Sequence, residues 1–286
     1  MQIASTSTQR TYRYLRLSIV GAVVLLFVAL AIVILRFGPI PSVSAAHYTP
    51  ARDIFVGSIF AVALALIALS GRSLSQALLD YAAIAATLIA VVPAPLEPGQ
   101  VPSSPANVAD VQVSVLSLLI VGALGVIVAF TLALVQRTLT LALGLAIAVA
   151  AAIVVAVGAW WLFAPESFLA WAHIVAAFTF FVLIAAVSAL AAWSVDRTSD
   201  DADAAARTMY RVLYSVIAIG ILVALALLLA VFVLDTQGVD LVESTGVPLI
   251  FIGEAAALIL FAAFWLIQTI ELWDDSDPRL RTLPGE

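Results

Sequence analysis

Two side chains that could do chemistry, His173 and Glu254, lie inside long apolar stretches of this sequence. An ionised side chain in the hydrocarbon of a bilayer costs at least about 2.5 kcal/mol, so each of them needs a polar partner. His173 follows Phe168 by five residues and Glu254 follows Pro248 by six, which places both roughly 7–9 Å below the same membrane face. We therefore predict that the imidazole and the carboxyl lie close together, as a general base, a proton relay or part of a metal site.

More polar side chains follow the first apolar run and are predicted at the same face. Arg52 could stabilise an anion such as a lipid phosphate, so its replacement by alanine is predicted to change any copurifying lipid. Together with His173 and Glu254 these residues predict an outward-facing polar pocket for a lipid head group or a small ligand. The loop contributes Ser42, Ser44, His47, Tyr48, Arg52 and Asp53.

Each of these residues also has a structural interpretation, which the sequence leaves open. His173 could be a hydrogen-bonded packing residue, and Glu254 could be its structural partner. Arg52 and Asp53 could be a neighbouring pair that caps the second helix. Asp80 stands apart: thirteen residues separate it from Pro93, or roughly 20 Å of helix. We expect Asp80 near the cytoplasmic interface, where it could snorkel or pair with Arg72.

The sequence signatures of common enzymes are absent. There is no H-E-x-x-H, G-x-S-x-G, P-loop or dinucleotide fingerprint, and the chain has no cysteine, no lysine and two histidines. Zinc requires about four ligands, which His47, His173, Asp53 and Glu254 could only just supply. We therefore predict no metal and no cofactor, and a non-catalytic role is favoured. A metal-assisted lipid or amide hydrolase that uses those four residues remains one alternative, and a proton-coupled transporter that uses Glu254 and Asp80 remains another.

The composition predicts the elements that must position these residues. The chain is 64% hydrophobic and 10% charged, with a mean hydropathy of +1.19, whereas soluble domains carry about 25% charged residues. Apolar runs of about 20 residues form helices in lipid because each backbone amide must be satisfied within its own segment. We predict an all-α, polytopic membrane bundle that forms a single domain of eight transmembrane helices, at 17–35, 54–70, 77–92, 113–135, 139–163, 168–193, 212–234 and 248–273.

The arginines orient these spans. With both termini in the cytoplasm, ten of the twelve arginines face inward and only Arg36 and Arg52 face outward, as the positive-inside rule requires. We predict a multi-pass protein of the cytoplasmic membrane with lipids as its partners. A homo-oligomer and a membrane-protein partner are both compatible with the sequence. The net charge of −6 argues against a nucleic-acid partner.

Two segments resemble known membrane families. The segment Ser42–Gly57, which contains His47-Tyr48-Thr49-Pro50-Ala51-Arg52-Asp53, resembles the loop after the first helix of bacterial multispan proteins of the FRAG/DRAM-type neighbourhood. The stretch from His173 to Phe181 is similar to a later helix of those proteins. More distantly, the serine, aspartate and histidine set resembles alkaline ceramidase and progestin-receptor-like hydrolases, which implies zinc held by three histidines. This chain has two histidines and lacks the H-x-x-x-H pair.

Overall fold

The computed structural model describes residues 5–69, 74–96, 108–195, 204–238 and 246–273. This part of the chain is all-α. The described residues form eight α-helices and one short 3-10 helix. In chain order these are α1 Ser5–Phe37, the 3-10 helix Ser44–Tyr48, α2 Arg52–Ala68, α3 Leu74–Val91, α4 Val108–Val135, α5 Leu141–Phe163, α6 Pro165–Ser194, α7 Ala204–Thr236 and α8 Leu249–Glu271.

Seven of these helices are long and apolar enough to cross a membrane, which confirms a multispan helical membrane protein. The exception is α2, which has 17 residues and is thus about 25 Å long. Because the hydrocarbon core is about 30 Å thick, its length and composition do not establish it as a span. The predicted count of eight spans therefore stays a prediction, as does the placement of both termini.

Two helices begin well before their predicted spans. The first apolar run was expected from residue 17 and the seventh from residue 212, but α1 begins at Ser5 and α7 at Ala204. The added turns are rich in polar residues and contain five of the arginines, which hydropathy alone assigns to loops. A helix can continue beyond the hydrocarbon into the interface because its backbone groups stay hydrogen-bonded within the helix in either environment.

Six helices form a closed ring. Around it the order is α1, α2, α3, α6, α7, α8 and back to α1, with each helix packed against its two neighbours. The connection between α3 and α6 is made by a hairpin of α4 and α5, which packs outside the ring against α3 and α6. This hairpin buries few side chains in the described structure, among them Val111, Val115, Ala133 and Trp161. The ring, and not the hairpin, therefore surrounds the interior of the protein.

Candidate functional site

The end of α3 is the centre of the site. α3 ends at Val91, two residues before Pro93, because the residue that precedes a proline is disfavoured in the helical conformation. The carbonyls at such an end have no partner within the helix and must find one elsewhere. Three side chains with aromatic rings supply these partners. The contacts are His47 Nε2 to Ala90 O at 3.3 Å, His173 Nδ1 to Val92 O at 2.6 Å, and Tyr48 OH to Ala94 O at 2.8 Å.

His47 and Tyr48 thus hold the first loop against the end of α3. A carbonyl oxygen only accepts hydrogen bonds, so Nε2 of His47 carries a hydrogen and donates it to Ala90. Burial lowers the pKa of His47 below its ordinary value of 6.5, and the nearby positive charge of Arg52 lowers it further. Folding therefore favours the neutral form of this imidazole. Its role is structural, since it binds the end of α3.

The lowered pKa predicts that the folded state loses stability in mild acid. As the pH falls through about 6.5, the unfolded chain binds a proton at His47 more readily than the folded chain, so the free energy of unfolding falls. His47→Gln keeps a donor for Ala90 and removes the titration. We expect the melting temperature in detergent to drop less for the variant than for the wild type between pH 7.5 and pH 5.5. Equal drops would contradict this assignment.

Ser44 joins the two side chains that were predicted to meet. Its backbone N–H donates to Glu254 Oε2 at 3.0 Å, and its hydroxyl lies 3.0 Å from Glu254 Oε1. The same hydroxyl lies 3.0 Å from Nε2 of His173. The 3-10 helix, α6 and α8 therefore meet at one buried trio, Glu254–Ser44–His173, in which serine bridges the acid and the imidazole.

Two electrically neutral arrangements of hydrogens satisfy both contacts of the Ser44 hydroxyl. His173 donates from Nδ1 to Val92, and the hydroxyl of Ser44 has a single hydrogen for two neighbours. In one arrangement a protonated Glu254 donates to Ser44, and Ser44 donates to a neutral His173. In the other, a charged His173 donates to Ser44, and Ser44 donates to a charged Glu254. Both arrangements are electrically neutral overall, and the first avoids two buried charges.

A cavity of about 510 Å³ opens beside the trio inside the helix ring. All six ring helices and the loop segment Pro41–Ser44 line it. It reaches from the exposed Asp235 and Pro95 at one end to the buried Leu225 and Phe261. Leu225 precedes Asp235 by ten residues, so the cavity is roughly 15 Å deep. A volume of this size is within the usual range for small-molecule sites.

The wall of the cavity is mostly apolar and aromatic. Its phenylalanines are Phe55, Phe178, Phe180, Phe181, Phe232 and Phe261. Its polar side chains are few and come from the loop and four of the helices: Ser42, Ser44, Ser58, His173, Asp235 and Glu254. An apolar body with a small polar group at one end is the kind of molecule that matches such a surface.

Four of the predicted pocket residues line this cavity, and four do not. Ser42, Ser44, His173 and Glu254 face it. His47 and Tyr48 point at the end of α3 instead. Arg52 and Asp53 are exposed on the first turn of α2 and are not part of the cavity wall. The arginine that was expected to hold a lipid phosphate therefore lies outside the cavity, because the first turn of α2 carries it at the surface.

Sequence reasoning missed Ser58 and Asp235 in the cavity, since one serine or one helix-end aspartate gives no pattern.

It also missed a set of buried polar side chains at the opposite end of the ring. Arg16, Gln76 and Gln268 are each at most 2% exposed there. Tyr214 donates a short hydrogen bond to Glu271 at the same end. Asp80 is half-buried on α3 and does not line the cavity.

The described residues contain no group of three or more histidine, aspartate and glutamate side chains that could hold a metal ion. The four residues considered for zinc do not come together at one place. His173 and Glu254 meet at Ser44, whereas Asp53 is exposed and His47 binds a backbone carbonyl. A zinc site needs about four ligands that converge on one point. In the described residues both histidines and Glu254 make hydrogen bonds instead.

Fold and site together define a helical membrane protein with an amphipathic cavity inside a six-helix ring. Comparisons of the chain with protein-family models, with curated proteins and with solved structures found no match. The resemblance to the FRAG/DRAM-type neighbourhood and to the zinc hydrolases stays a prediction.

Proposed function

We propose that this protein is a non-catalytic binding protein of the cytoplasmic membrane that takes an amphipathic ligand into its ring cavity. The observation that carries this proposal is the combination of one deep apolar cavity with one buried polar trio at its wall. The polar group of the ligand lies at Glu254, Ser44 and His173, and its apolar body lies against the phenylalanines. Burial of apolar ligand surface provides most of the affinity, and the trio provides the orientation.

The arginine distribution supports an outward-facing cavity. We propose eight spans with both termini in the cytoplasm. Although α2 is short, it is counted as a span because it packs between α1 and α3 as a full member of the ring. The cavity opens at the end of the ring that carries Arg36 and Arg52. The other arginines of α1 and α7 lie at the opposite end: Arg10, Arg13, Arg16, Arg207 and Arg211. Under the positive-inside rule the arginine-poor end is external. Lipids and hydrophobic molecules can reach it from the outer leaflet.

The backbone around Ser44 argues against a serine nucleophile. A serine hydrolase needs N–H groups that point at the developing oxyanion. Here the N–H of Ser44 is bound to Glu254, that of Ala45 to the Ser42 hydroxyl and that of Ala46 to the carbonyl of Val43. The amides nearest the hydroxyl are therefore already used, which favours binding over acyl transfer. The metal-assisted alternative finds no support either, since its four residues do not converge.

The transporter alternative needs a route between Glu254 and Asp80. The cavity does not extend that far, and large buried side chains fill the ring on its cytoplasmic side. Ile19, Leu66, Phe264 and Trp265 are each at most 1% exposed. This buried apolar layer favours a binding site that is closed on the inside. A second copy of the chain or another membrane protein as partner stays a prediction.

The proposed function predicts a copurifying ligand that depends on the cavity. We expect mass spectrometry of organic extracts to find one amphipathic species enriched in the purified wild-type protein. Ala177→Phe, which adds a ring to the cavity wall, should remove it. Arg52→Ala is the matched control, because Arg52 is exposed outside the cavity, and it should retain the species. An Ala177→Phe protein that carries the same species as the wild type, at the same ratio to protein, would contradict the proposal.

A further inference from the structure

Ser58 is a buried hydroxyl in the cavity wall that has no hydrogen-bond partner among the described residues. It is 5% exposed and lies on α2 in a stripe of cavity-lining residues with Phe55, Ile59 and Val62. A buried hydroxyl without a partner costs roughly 1–3 kcal/mol. Its place on the cavity wall makes a ligand the natural source of that partner.

The other buried hydroxyls on the described helices behave differently. Each buried serine or threonine on the other described α-helices donates to a backbone carbonyl three or four residues earlier, as helical serine and threonine commonly do. These pairs are Ser188 to Ile184 at 2.9 Å, Ser194 to Ala191 at 3.0 Å and Thr269 to Trp265 at 2.7 Å. Ser58 could in principle donate to the carbonyl of its own helix, yet it makes no such bond. Its hydroxyl is thus available to donate to an acceptor in the cavity.

The charges of the cavity wall select against an anionic ligand. Two acids, Glu254 and Asp235, line the cavity, and His173 is the one side chain of basic type among the lining residues. No arginine is among the described residues of this wall, and the chain has no lysine. A phosphate in this cavity would face two carboxyl groups without a guanidinium to bind it, which is unfavourable at low dielectric.

Glu254 offers the second polar contact. Ser44 occupies one position on each of its carboxyl oxygens, and each oxygen has two lone pairs. The backbone of Val43 also donates to this carboxyl, and a remaining lone pair can accept a hydrogen from a ligand hydroxyl. Ser58 lies six residues from the start of α2, and Glu254 lies five residues from the start of α8, so both are about 8–9 Å from the mouth of the ring.

We propose that the ligand is an uncharged ester of a lipid alcohol, of the monoacylglycerol kind; this inference rests on the proposed function. Its free hydroxyl donates to Glu254, and its ester carbonyl accepts from Ser58. Its acyl chain extends along the phenylalanines towards Phe261. Ser58 is then a specificity-determining residue that recognises the ester oxygen.

Three probes with the same 12-carbon chain test this inference: 1-monolauroylglycerol, dodecanol and 1-lauroylglycerol 3-phosphate. We expect the wild-type protein in nanodiscs to bind the monoacylglycerol at least about five times more tightly than either other probe, a factor typical of one buried hydrogen bond or one unfavourable charge. Ser58→Ala should weaken monoacylglycerol binding to the level of dodecanol and leave dodecanol unchanged. Ser58→Thr, which keeps the hydroxyl, should retain the preference.

The outcomes separate this inference from the proposed function. If the phosphate probe binds as tightly as the monoacylglycerol, or if Ser58→Ala weakens all three probes equally, the assignment of the ligand class fails while the binding function stands. If no probe shows saturable binding that Ala177→Phe abolishes, and no amphipathic species copurifies, both fail. The Ser58→Thr protein provides the comparison should the alanine variant not fold.

Discussion

Replacement of Glu254 by alanine is expected to destabilise the protein by about 2–4 kcal/mol, among the largest effects of any single change in this chain. The carboxyl accepts a hydrogen bond from the backbone N–H of Ser44 and shares a second hydrogen bond with its hydroxyl. Without it the hydroxyl can turn towards His173, but the N–H of Ser44 bonds to no other acceptor among the described residues. A buried amide without a partner costs about 1–3 kcal/mol, and the lost packing of the side chain adds to this.

Glu254→Gln is the matched control, because a glutamine reproduces the hydrogen bonds of a protonated glutamate. Its carbonyl oxygen can accept from the N–H of Ser44, and its amide nitrogen can donate to the hydroxyl. Ser44 then donates to a neutral His173, as in the arrangement without buried charges. We expect its free energy of unfolding to lie within about 1 kcal/mol of the wild type.

Thermal denaturation in one detergent, with the three proteins side by side, measures both effects. Equal losses for the glutamine and the alanine variant would mean that the trio needs a negative charge on Glu254, in which case His173 carries the positive charge. An alanine variant as stable as the wild type would show that the contacts between Ser44 and Glu254 contribute nothing to the fold.

The sequence predicted which helices contain the functional side chains but not how those side chains meet. Depth along two apolar runs was enough to place His173 and Glu254 near the same face, because helix rise is constant. The residue between them, Ser44, lies in a loop whose conformation depends on contacts with the end of α3. Those contacts join His47 and Tyr48 to backbone carbonyls of residues 90–94. Every residue has such a carbonyl, so the sequence does not show which of them accept hydrogen bonds from side chains.

The helix ring was also beyond prediction from the sequence. In a soluble bundle the apolar stripe of each helix shows which face is buried. In a membrane the lipid-facing side is as apolar as the core, so α4 and α5 look like the ring helices although they lie outside it. Ser58 illustrates the same limit, because a lone serine in an apolar run carries no sign that it faces a cavity.

Substitution of Gly253 by alanine is expected to destabilise the protein by about 1–3 kcal/mol through overpacking between α7 and α8. A Cβ at this position would lie 2.7 Å from Cδ2 and 2.8 Å from Cγ of Leu228. The branch point of that leucine cannot move away as easily as a side-chain tip. Leu228 lines the cavity and Gly253 precedes Glu254, so the same change should also weaken ligand binding.

Two other glycines provide graded controls. At Gly220 the added Cβ would meet only the flexible end of Leu260, at 2.8 Å from Cδ1, so Gly220→Ala should cost less. At Gly21 nothing lies within 4 Å, and alanine is the better helix former by about 1 kcal/mol. We therefore expect the melting temperatures to rank Gly21→Ala highest, then Gly220→Ala, then Gly253→Ala.

A compensating change tests whether Leu228 causes the loss. Leu228→Ala removes the atoms that the new Cβ would meet, so Gly253→Ala should cost less in that background than in the wild type. The two changes are then coupled, with a favourable interaction energy of about 0.5–3 kcal/mol, as expected for residues in contact. Strictly additive effects would place the strain elsewhere, and a Gly253→Ala protein as stable as Gly21→Ala would rule out the close packing of α7 on α8 at this position.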